Sequence, residues 1–222
     1  MFYYIAFIIF CLLVIYIGVG LKRPFVSASI FLICAIILGA MNTGQDLGAR
    51  KASRQMVEEI KEKKKEGLPD YRLAPYMDMP EEMIGGYLCI GYLSMEDIEL
   101  PVISRHDDEV YEKLRSAPVR YEGSVYSHDI IICGHNYPSH FRILWNMEKG
   151  TEVSFTDISG NRFVYEMAER RIIGPYDYEE MTEGDWDMIL YTCVLGGRQR
   201  CACTFRLVKD IPASKGDVNG DT

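Results

Sequence analysis

The sequence predicts a mainly β fold: a closed eight-stranded β-barrel with short helices, preceded by an N-terminal transmembrane hairpin and a helical stalk. Two observations predict the barrel. From residue 87 onward, short alternating or apolar runs are separated by turn residues, and eight such strands can close around an interior that side chains fill. A third observation, the long apolar runs in the first forty residues, predicts the hairpin.

The two N-terminal apolar runs cover residues 2–19 and 25–41 and are interrupted by the sequence LKRP. At about 1.5 Å per residue, each would extend roughly 27 Å as a helix, which is close to the thickness of a membrane hydrocarbon core. Residues 1–42 are therefore predicted to form two transmembrane helices. A secretory signal peptide and a single membrane span are the alternatives, but no basic segment precedes the first run and no small-x-small cleavage site follows it.

Three further segments complete the predicted domain organisation. Residues 43–85 are predicted to form a juxtamembrane polar helix followed by a proline-rich linker, and a glycine pair marks the end of this segment. The barrel follows over residues 86–210. The tail, 211–222, is predicted to be disordered, because its sequence KGDVNGDT resembles the start of a calcium-binding loop but stops before the remaining ligands.

The strands of the barrel are predicted from runs that alternate apolar and polar residues or are apolar throughout. Two helices are predicted between them, at 107–117, where acidic residues occupy the first turn, and at 138–148, which begins with Pro-Ser. The eight predicted strands cover residues 87–93, 98–104, 119–123, 129–135, 151–157, 161–173, 188–193 and 200–208.

Charge and cysteine content argue against two classes of function. The net charge of -8 and the lack of clustered Lys and Arg argue against a nucleic-acid binder, which neutralises phosphates with basic side chains. Seven cysteines, an odd number, cannot all form disulfides within one chain. Neither paired CxxC motifs nor Cys and His at metal-ligand intervals occur, so no metal and no other cofactor is predicted.

Cys193 is the first candidate catalytic residue. It ends an apolar strand and precedes the sequence VLGG, so a rigid sheet holds it on one side and a flexible turn exposes it on the other. Because side chains alternate along a strand, Arg200 points to the opposite face from Cys201 and Cys203. Arg200 can therefore lie near Cys193, whereas the other two cysteines are predicted to be small buried core residues.

A nucleophilic thiol needs a nearby base or positive charge, because its ordinary pKa of about 8.5 leaves it mostly protonated at neutral pH. Of the four histidines, His135 ends an apolar strand, as Cys193 does. His106 and His128 lie in polar turns, and His140 lies at a helix start. The shared setting indicates that His135 and Cys193 act as a pair, although the residues alone equally allow a structural role for His135.

These motifs resemble those of the sortases, cysteine transpeptidases of Gram-positive cell surfaces. In that family a histidine follows a hydrophobic strand, a Thr-Cys pair closes the seventh strand, and an arginine opens the eighth. This chain shows IICGHN, LYTC and GGRQR in that order, and the similarity extends over residues 85–210. The resemblance implies a sortase-like barrel. The turn after the cysteine is short, as in some clostridial-type sortases, and the subclass stays open.

The resemblance also implies a role for each site residue. Cys193 would be the nucleophile, and His135 would be the proton-transfer partner. Arg200 would steady the substrate and the oxyanion. Arg198 is the less favoured arginine, because it lies in the turn.

Substrates, partners and placement follow from the same resemblance. Sortases cleave a sorting motif near the C-terminus of a secreted protein, form a thioacyl enzyme, and transfer it to an amine of a cell-wall precursor or a pilin subunit. The resemblance implies a catalytic domain on the extracellular face. The two predicted transmembrane helices, which differ from the single N-terminal anchor common in the family, make this a multi-pass protein of the cell membrane. Lys22 and Arg23, which adjoin both apolar runs, favour this orientation, whereas Arg50, Lys51 and Arg54 oppose it.

The segment GPYDYEEMTEGDWD lies where the family builds one wall of its substrate groove. The resemblance implies that an extended peptide contacts apolar side chains of this segment. From its position beside Cys193, the Thr192 hydroxyl is a candidate further donor, and the backbone amides of the short turn are the alternative. Packing beneath a long loop is the alternative role for these side chains. The substrate-binding candidates in the segment are Tyr176, Tyr178, Met181 and Trp186.

Two other functions stay open at this point. A membrane-anchored cysteine peptidase, which releases its acyl intermediate to water, uses the same Cys and His pair. A non-catalytic surface binding module would leave Cys193 as a passive core thiol, with His135 and Arg200 nearby only by coincidence. The match of all three residues to one family pattern favours the transpeptidase.

Overall fold

The computed structural model describes residues 10–16, 24–63, 70–104, 114, 117–194 and 197–213. The chain divides into two compact units, residues 1–47 and 48–222. A short helical stretch covers residues 10–16. The other elements, in chain order, are α1 (Pro24–Glu62), β1 (Glu82–Ile84), β2 (Tyr87–Met95), β3 (Ile98–Ile103), β4 (Val119–Glu122), β5 (Ile130–Gly134), a 3-10 helix (Phe141–Trp145), β6 (Glu152–Asp157), β7 (Arg162–Ile173), α2 (Tyr178–Thr182), β8 (Met188–Cys193) and β9 (Arg200–Ile211).

Eight of these strands form a closed ring. Hydrogen-bonded neighbours follow the order β2-β3-β4-β5-β8-β9-β7-β6, and β6 pairs back with β2. β1 extends the sheet as a hairpin partner of β2. Most neighbours are antiparallel, but β3 with β4 and β5 with β8 are parallel. β5 and β8 therefore run in the same direction and end at the same edge of the sheet.

Apolar side chains from around the ring fill its interior. Because side chains alternate along each strand, every second residue points inward. Burial of this apolar surface stabilises the fold by about 25 cal/mol per Å² removed from water. The interior residues include Ile90, Leu93, Val102, Ile132, Phe155, Phe163, Tyr165, Leu190 and Phe205.

Two smaller apolar clusters lie on the outer face of the ring. In the first, Met56 and Ile60 of α1 pack with Val119 of β4 and Cys133 of β5. Met56 and Ile60 are one helical turn apart, so both side chains point to the same side of α1. The second cluster packs Met181 of α2 with residues of β5, β7, β8 and β9.

The mainly β class and the eight-stranded ring are confirmed, and the eight predicted strands correspond to β2 through β9. β1 was not predicted, because three residues are too few to show an alternating pattern. The predicted helix at 138–148 is shortened to the 3-10 helix. The predicted helix at 107–117 and the predicted disordered tail lie largely outside the described residues. The predicted domain boundaries stay predictions.

The predicted multi-pass placement in the cell membrane is wrong. Among the described residues, no helix combines the length and the apolar composition that crossing a membrane requires. The transmembrane hairpin predicted over residues 1–42 is therefore not supported by the described part of the chain.

Candidate functional site

The parallel pair β5 and β8 brings the two main candidates together. Gly134 pairs with Thr192 in the parallel register. The residues that follow them in the chain, His135 and Cys193, therefore lie at corresponding positions at the ends of the two strands. Neighbouring strands are about 4.8 Å apart. β9 then runs back beside β8, and its first residue, Arg200, pairs with Cys193. All three residues that were predicted from separate motifs therefore meet at one edge of the sheet.

Side-chain alternation places these residues on the outer face of the ring. Leu190 of β8 points into the interior, whereas Tyr191 belongs to the outer clusters. Two residues beyond Tyr191, Cys193 lies on the same face and is exposed. On β9, Cys201 and Cys203 are fully buried in the interior. The predicted division of the three β8 and β9 cysteines between a solvent-facing and a core-facing side is confirmed.

Two contacts fix the ends of β5 and β8 next to the site. A Cβ atom at Gly134 would lie 2.6 Å from Cδ2 of the buried Phe141 ring, so only glycine lets the chain pass this ring just before His135. The Thr192 hydroxyl donates a 2.8 Å hydrogen bond to the carbonyl of Gly134. Thr192 is buried, so its hydroxyl joins the two strands here. A role for Thr192 in substrate binding stays a prediction.

The loop after β5 is closed by its own backbone. The His135 carbonyl accepts a 3.1 Å hydrogen bond from the Phe141 N–H, and the Tyr137 carbonyl accepts one of 3.0 Å from the His140 N–H. The ring of Tyr137 stacks on the imidazole of His135, with the ring centroids 4.4 Å apart. His135 is half-buried and His140 fully buried. The candidate base is therefore supported by a folded loop on one side and open to solvent on the other.

Arg200 folds over its own turn. Its guanidinium Nη1 donates to the carbonyls of Gly197 and Gln199, at 3.0 and 3.1 Å. The turn is itself closed by hydrogen bonds between Val194 and residues 197 and 199. The Arg200 side chain is half-buried, whereas Arg198 is exposed. To donate to a peptide bound at Cys193, the guanidinium would exchange these turn carbonyls for acceptors of the substrate.

The thiols differ in exposure. Among the cysteines that the structure describes, Cys193 is the exposed one. Burial raises the pKa of the Cys89 thiol to about 12 and that of the Cys133 thiol to about 11. Both thiols therefore stay protonated at neutral pH, and a protonated thiol is a poor nucleophile. Its exposure favours Cys193 as the thiol that a substrate can reach.

The four substrate-binding candidates in the segment around α2 fall into two pairs that differ in their exposure to solvent. Met181 is buried in the outer cluster of β5 and β8, and the Trp186 indole N–H donates to the Thr182 carbonyl at 2.8 Å. These two side chains pack beneath the loop. Tyr176 and Tyr178, in contrast, are exposed. A substrate-binding role for all four residues stays a prediction.

Sequence reasoning missed an aromatic row that leads away from the site. Tyr121 of β4 contacts Tyr191 of β8, with centroids 6.0 Å apart, and Tyr178 of α2, at 6.5 Å. The Tyr178 hydroxyl donates to Glu122 at 2.7 Å, and this hydrogen bond raises the pKa of Tyr178 to about 12. The alternation of side chains in two predicted strands indicates that Tyr121 and Tyr191 face outward. The sequence does not show, however, that β4 and β8 lie on either side of the same strand.

The described residues also bear on metal binding. Within residues 10–16, 24–63, 70–104, 114, 117–194 and 197–213, no group of three or more His, Cys, Asp or Glu side chains is placed to hold a metal ion.

Comparisons with known proteins agree with this fold. The family model of the sortase domain matches residues 93–208. A Clostridium perfringens sortase D5 transpeptidase is 19% identical, with a TM-score of 0.52 and coverage of 72% of this chain and 99% of that one. A Streptococcus pneumoniae sortase C is 15% identical, with a TM-score of 0.50 and coverage of 77% and 92%. These two likenesses support the fold. Among curated protein sequences, none matches this chain significantly.

Proposed function

Because this chain belongs to the sortase family, whose members are cysteine transpeptidases, we propose that it cleaves a C-terminal sorting motif of secreted proteins and transfers the acyl fragment to an amine. The acceptor amine would belong to a cell-wall precursor or a pilin subunit. One observation carries the proposal: the parallel register of Gly134 with Thr192, which places His135 and Cys193 side by side. A binding module would have no need of this juxtaposition.

The proposed reaction has two halves. The Cys193 sulfur attacks the scissile carbonyl, the peptide C–N bond breaks, and a thioester forms as His135 gives its proton to the leaving amine. An incoming amine then loses a proton to His135 and attacks the thioester, which releases Cys193 and leaves a new amide bond. The exposed position of Cys193 allows an extended peptide to reach the sulfur.

Arg200 is proposed to stabilise the charge that develops on the carbonyl oxygen. Its pairing with Cys193 across β8 and β9 places its backbone next to the nucleophile. A guanidinium is charged at every relevant pH and donates hydrogen bonds in a fork. The two turn carbonyls that it now contacts show that the side chain can donate to backbone oxygens on this edge of the sheet.

The experiment that tests the proposal follows the fate of the acyl fragment. The full chain would be incubated with peptides that carry sorting motifs from secreted proteins encoded beside it, with and without an amine acceptor such as triglycine. Mass spectrometry should show a thioester on Cys193 and, with the acceptor, a new amide product. Hydrolysis products alone at saturating amine would identify a cysteine peptidase instead. No cleavage and no thioester with any peptide would contradict an enzymatic function.

Replacing His135 by asparagine is expected to lower turnover of such a peptide by at least about a hundredfold, because general acid–base catalysis typically contributes a factor of 10² to 10⁴. The fold should be retained, since His135 is only half-buried at the end of β5. Steady-state cleavage rates and the melting temperature check the two parts. His128→Asn, in the turn before β5 and so at the opposite end of that strand from His135, is the matched control. Unchanged turnover in His135→Asn would show that His135 has a structural and not a catalytic role.

A further inference from the structure

The ring of Tyr137 lies between two histidines. It stacks on His135 with an interplanar angle of 24° and a centroid distance of 4.4 Å. It also meets His140 edge to face, at 5.7 Å and 61°. Both are favourable arrangements for aromatic rings, whose faces are negative and whose edges are positive. Tyr137 thus connects the proposed base to a second histidine that takes no part in the proposed reaction.

The second histidine is held firmly. His140 is fully buried, and its Nε2 lies 3.4 Å from the hydroxyl of Ser53, which is also buried. Ser53 belongs to the part of α1 whose Met56 and Ile60 pack on the outer face of the ring. A hydrogen bond to a buried group rigidifies both partners. The Ser53–His140 pair therefore ties the loop after β5 to α1.

The backbone restrains Tyr137 from the other side. Its carbonyl accepts hydrogen bonds from the N–H groups of His140 and Arg142, at 3.0 and 3.3 Å. The ring is consequently limited both by its own backbone and by the two imidazoles.

We propose that Tyr137 is a positioning residue for His135, and that the Ser53–His140 pair on α1 holds the Tyr137 ring in place. The proposal rests on the proposed function for the proton-transfer role of His135. Tyr137 acts through its ring face, which keeps the imidazole oriented toward the Cys193 edge. Proton transfer depends steeply on such alignment, since a misplacement of about 1 Å can cost on the order of a hundredfold in rate.

The test compares Tyr137→Leu, which removes the ring, with Tyr137→Phe, which keeps it. In Tyr137→Leu, kcat for a sorting-motif peptide should fall roughly tenfold or more with little change in KM, because alignment and not substrate binding is lost. Tyr137→Phe should recover most of kcat. Tyr76→Leu, at a tyrosine that is 93% exposed, is the matched control and should leave kcat and melting temperature unchanged.

A spectroscopic measurement tests the contact without any substrate. The chain has four histidines, so the imidazole Cε1–H signals can be resolved by ¹H–¹³C NMR, and His135→Asn identifies the signal of His135. A stacked ring shifts that proton upfield. Tyr137→Leu should therefore move the His135 signal downfield, Tyr137→Phe should leave it in place, and Ser53→Ala should move the signals of both His135 and His140.

Several outcomes would overturn the proposal. An unmoved His135 signal in Tyr137→Leu means that the ring does not orient the imidazole. A moved signal with unchanged kcat means that the contact does not serve catalysis, and an equal loss of kcat in the Leu and Phe variants assigns the effect to the hydroxyl. If Ser53→Ala leaves both signals unchanged, α1 has no part. If the wild-type chain cleaves no peptide, the proposed function fails, and the NMR comparison still decides whether Tyr137 orients His135.

Discussion

Replacing Cys193 by alanine is expected to abolish peptide cleavage, to below about one ten-thousandth of the wild-type rate, because loss of an enzyme nucleophile alone can cost on the order of a millionfold. The thioester detected by mass spectrometry should disappear as well. Cys193 is exposed on the outer face at the end of β8, so alanine there removes the sulfur without opening a cavity. Cleavage by Cys193→Ala at a measurable fraction of the normal rate would contradict the assignment of the nucleophile.

The other cysteines of the ring supply the controls. They are buried, and in Cys89 and Cys133 burial raises the pKa of the thiol well above neutrality. Alanine at each site should reduce stability modestly, through the loss of a small apolar group from the core, while cleavage per folded molecule stays normal. Rates would be measured below the unfolding temperature of each variant. The control positions are Cys89, Cys133, Cys201 and Cys203.

Replacing Arg200 by lysine is expected to be nearly as damaging as replacing it by alanine. If the guanidinium donates directionally to the substrate backbone or the oxyanion, lysine keeps the charge but loses the fork. Removal of one such donor typically costs about a hundred- to a thousandfold in rate. Both variants should therefore slow peptide cleavage severely, while alkylation of Cys193 by iodoacetamide in the absence of substrate changes little.

A charge-only role for Arg200 gives the opposite pattern. Lysine would then restore most of the cleavage rate, and alanine would slow alkylation of the free enzyme, because positive potential favours the thiolate. Arg198 provides the matched control: it is exposed in the turn before β9, and both Arg198→Lys and Arg198→Ala should cleave normally. A severe loss in the Arg198 variants, with tolerant Arg200 variants, would show that the other arginine of the turn carries the role.

Much of the fold was predictable because its signals are local. Each strand of the ring alternates or is apolar over four or more residues, so its existence and its inward face follow from the chain itself. The end of β8 at Cys193 and the start of β9 at Arg200 are marked by a glycine pair between them. The membrane prediction also relied on a local signal and is wrong, because no helix among the described residues combines the length and the apolar composition that crossing a membrane requires.

The sequence by itself determined three candidate residues, the faces of their strands, and the buried state of Cys201 and Cys203. Only the tertiary structure decided that β5 and β8 are parallel neighbours, joined by a Thr192 hydroxyl that reaches a carbonyl 58 residues away. The aromatic row through Tyr121 arises in the same way. These pairings join residues that are far apart in the sequence. They form because the closed ring buries one shared core, and no short stretch of sequence determines which strands will be neighbours in the ring.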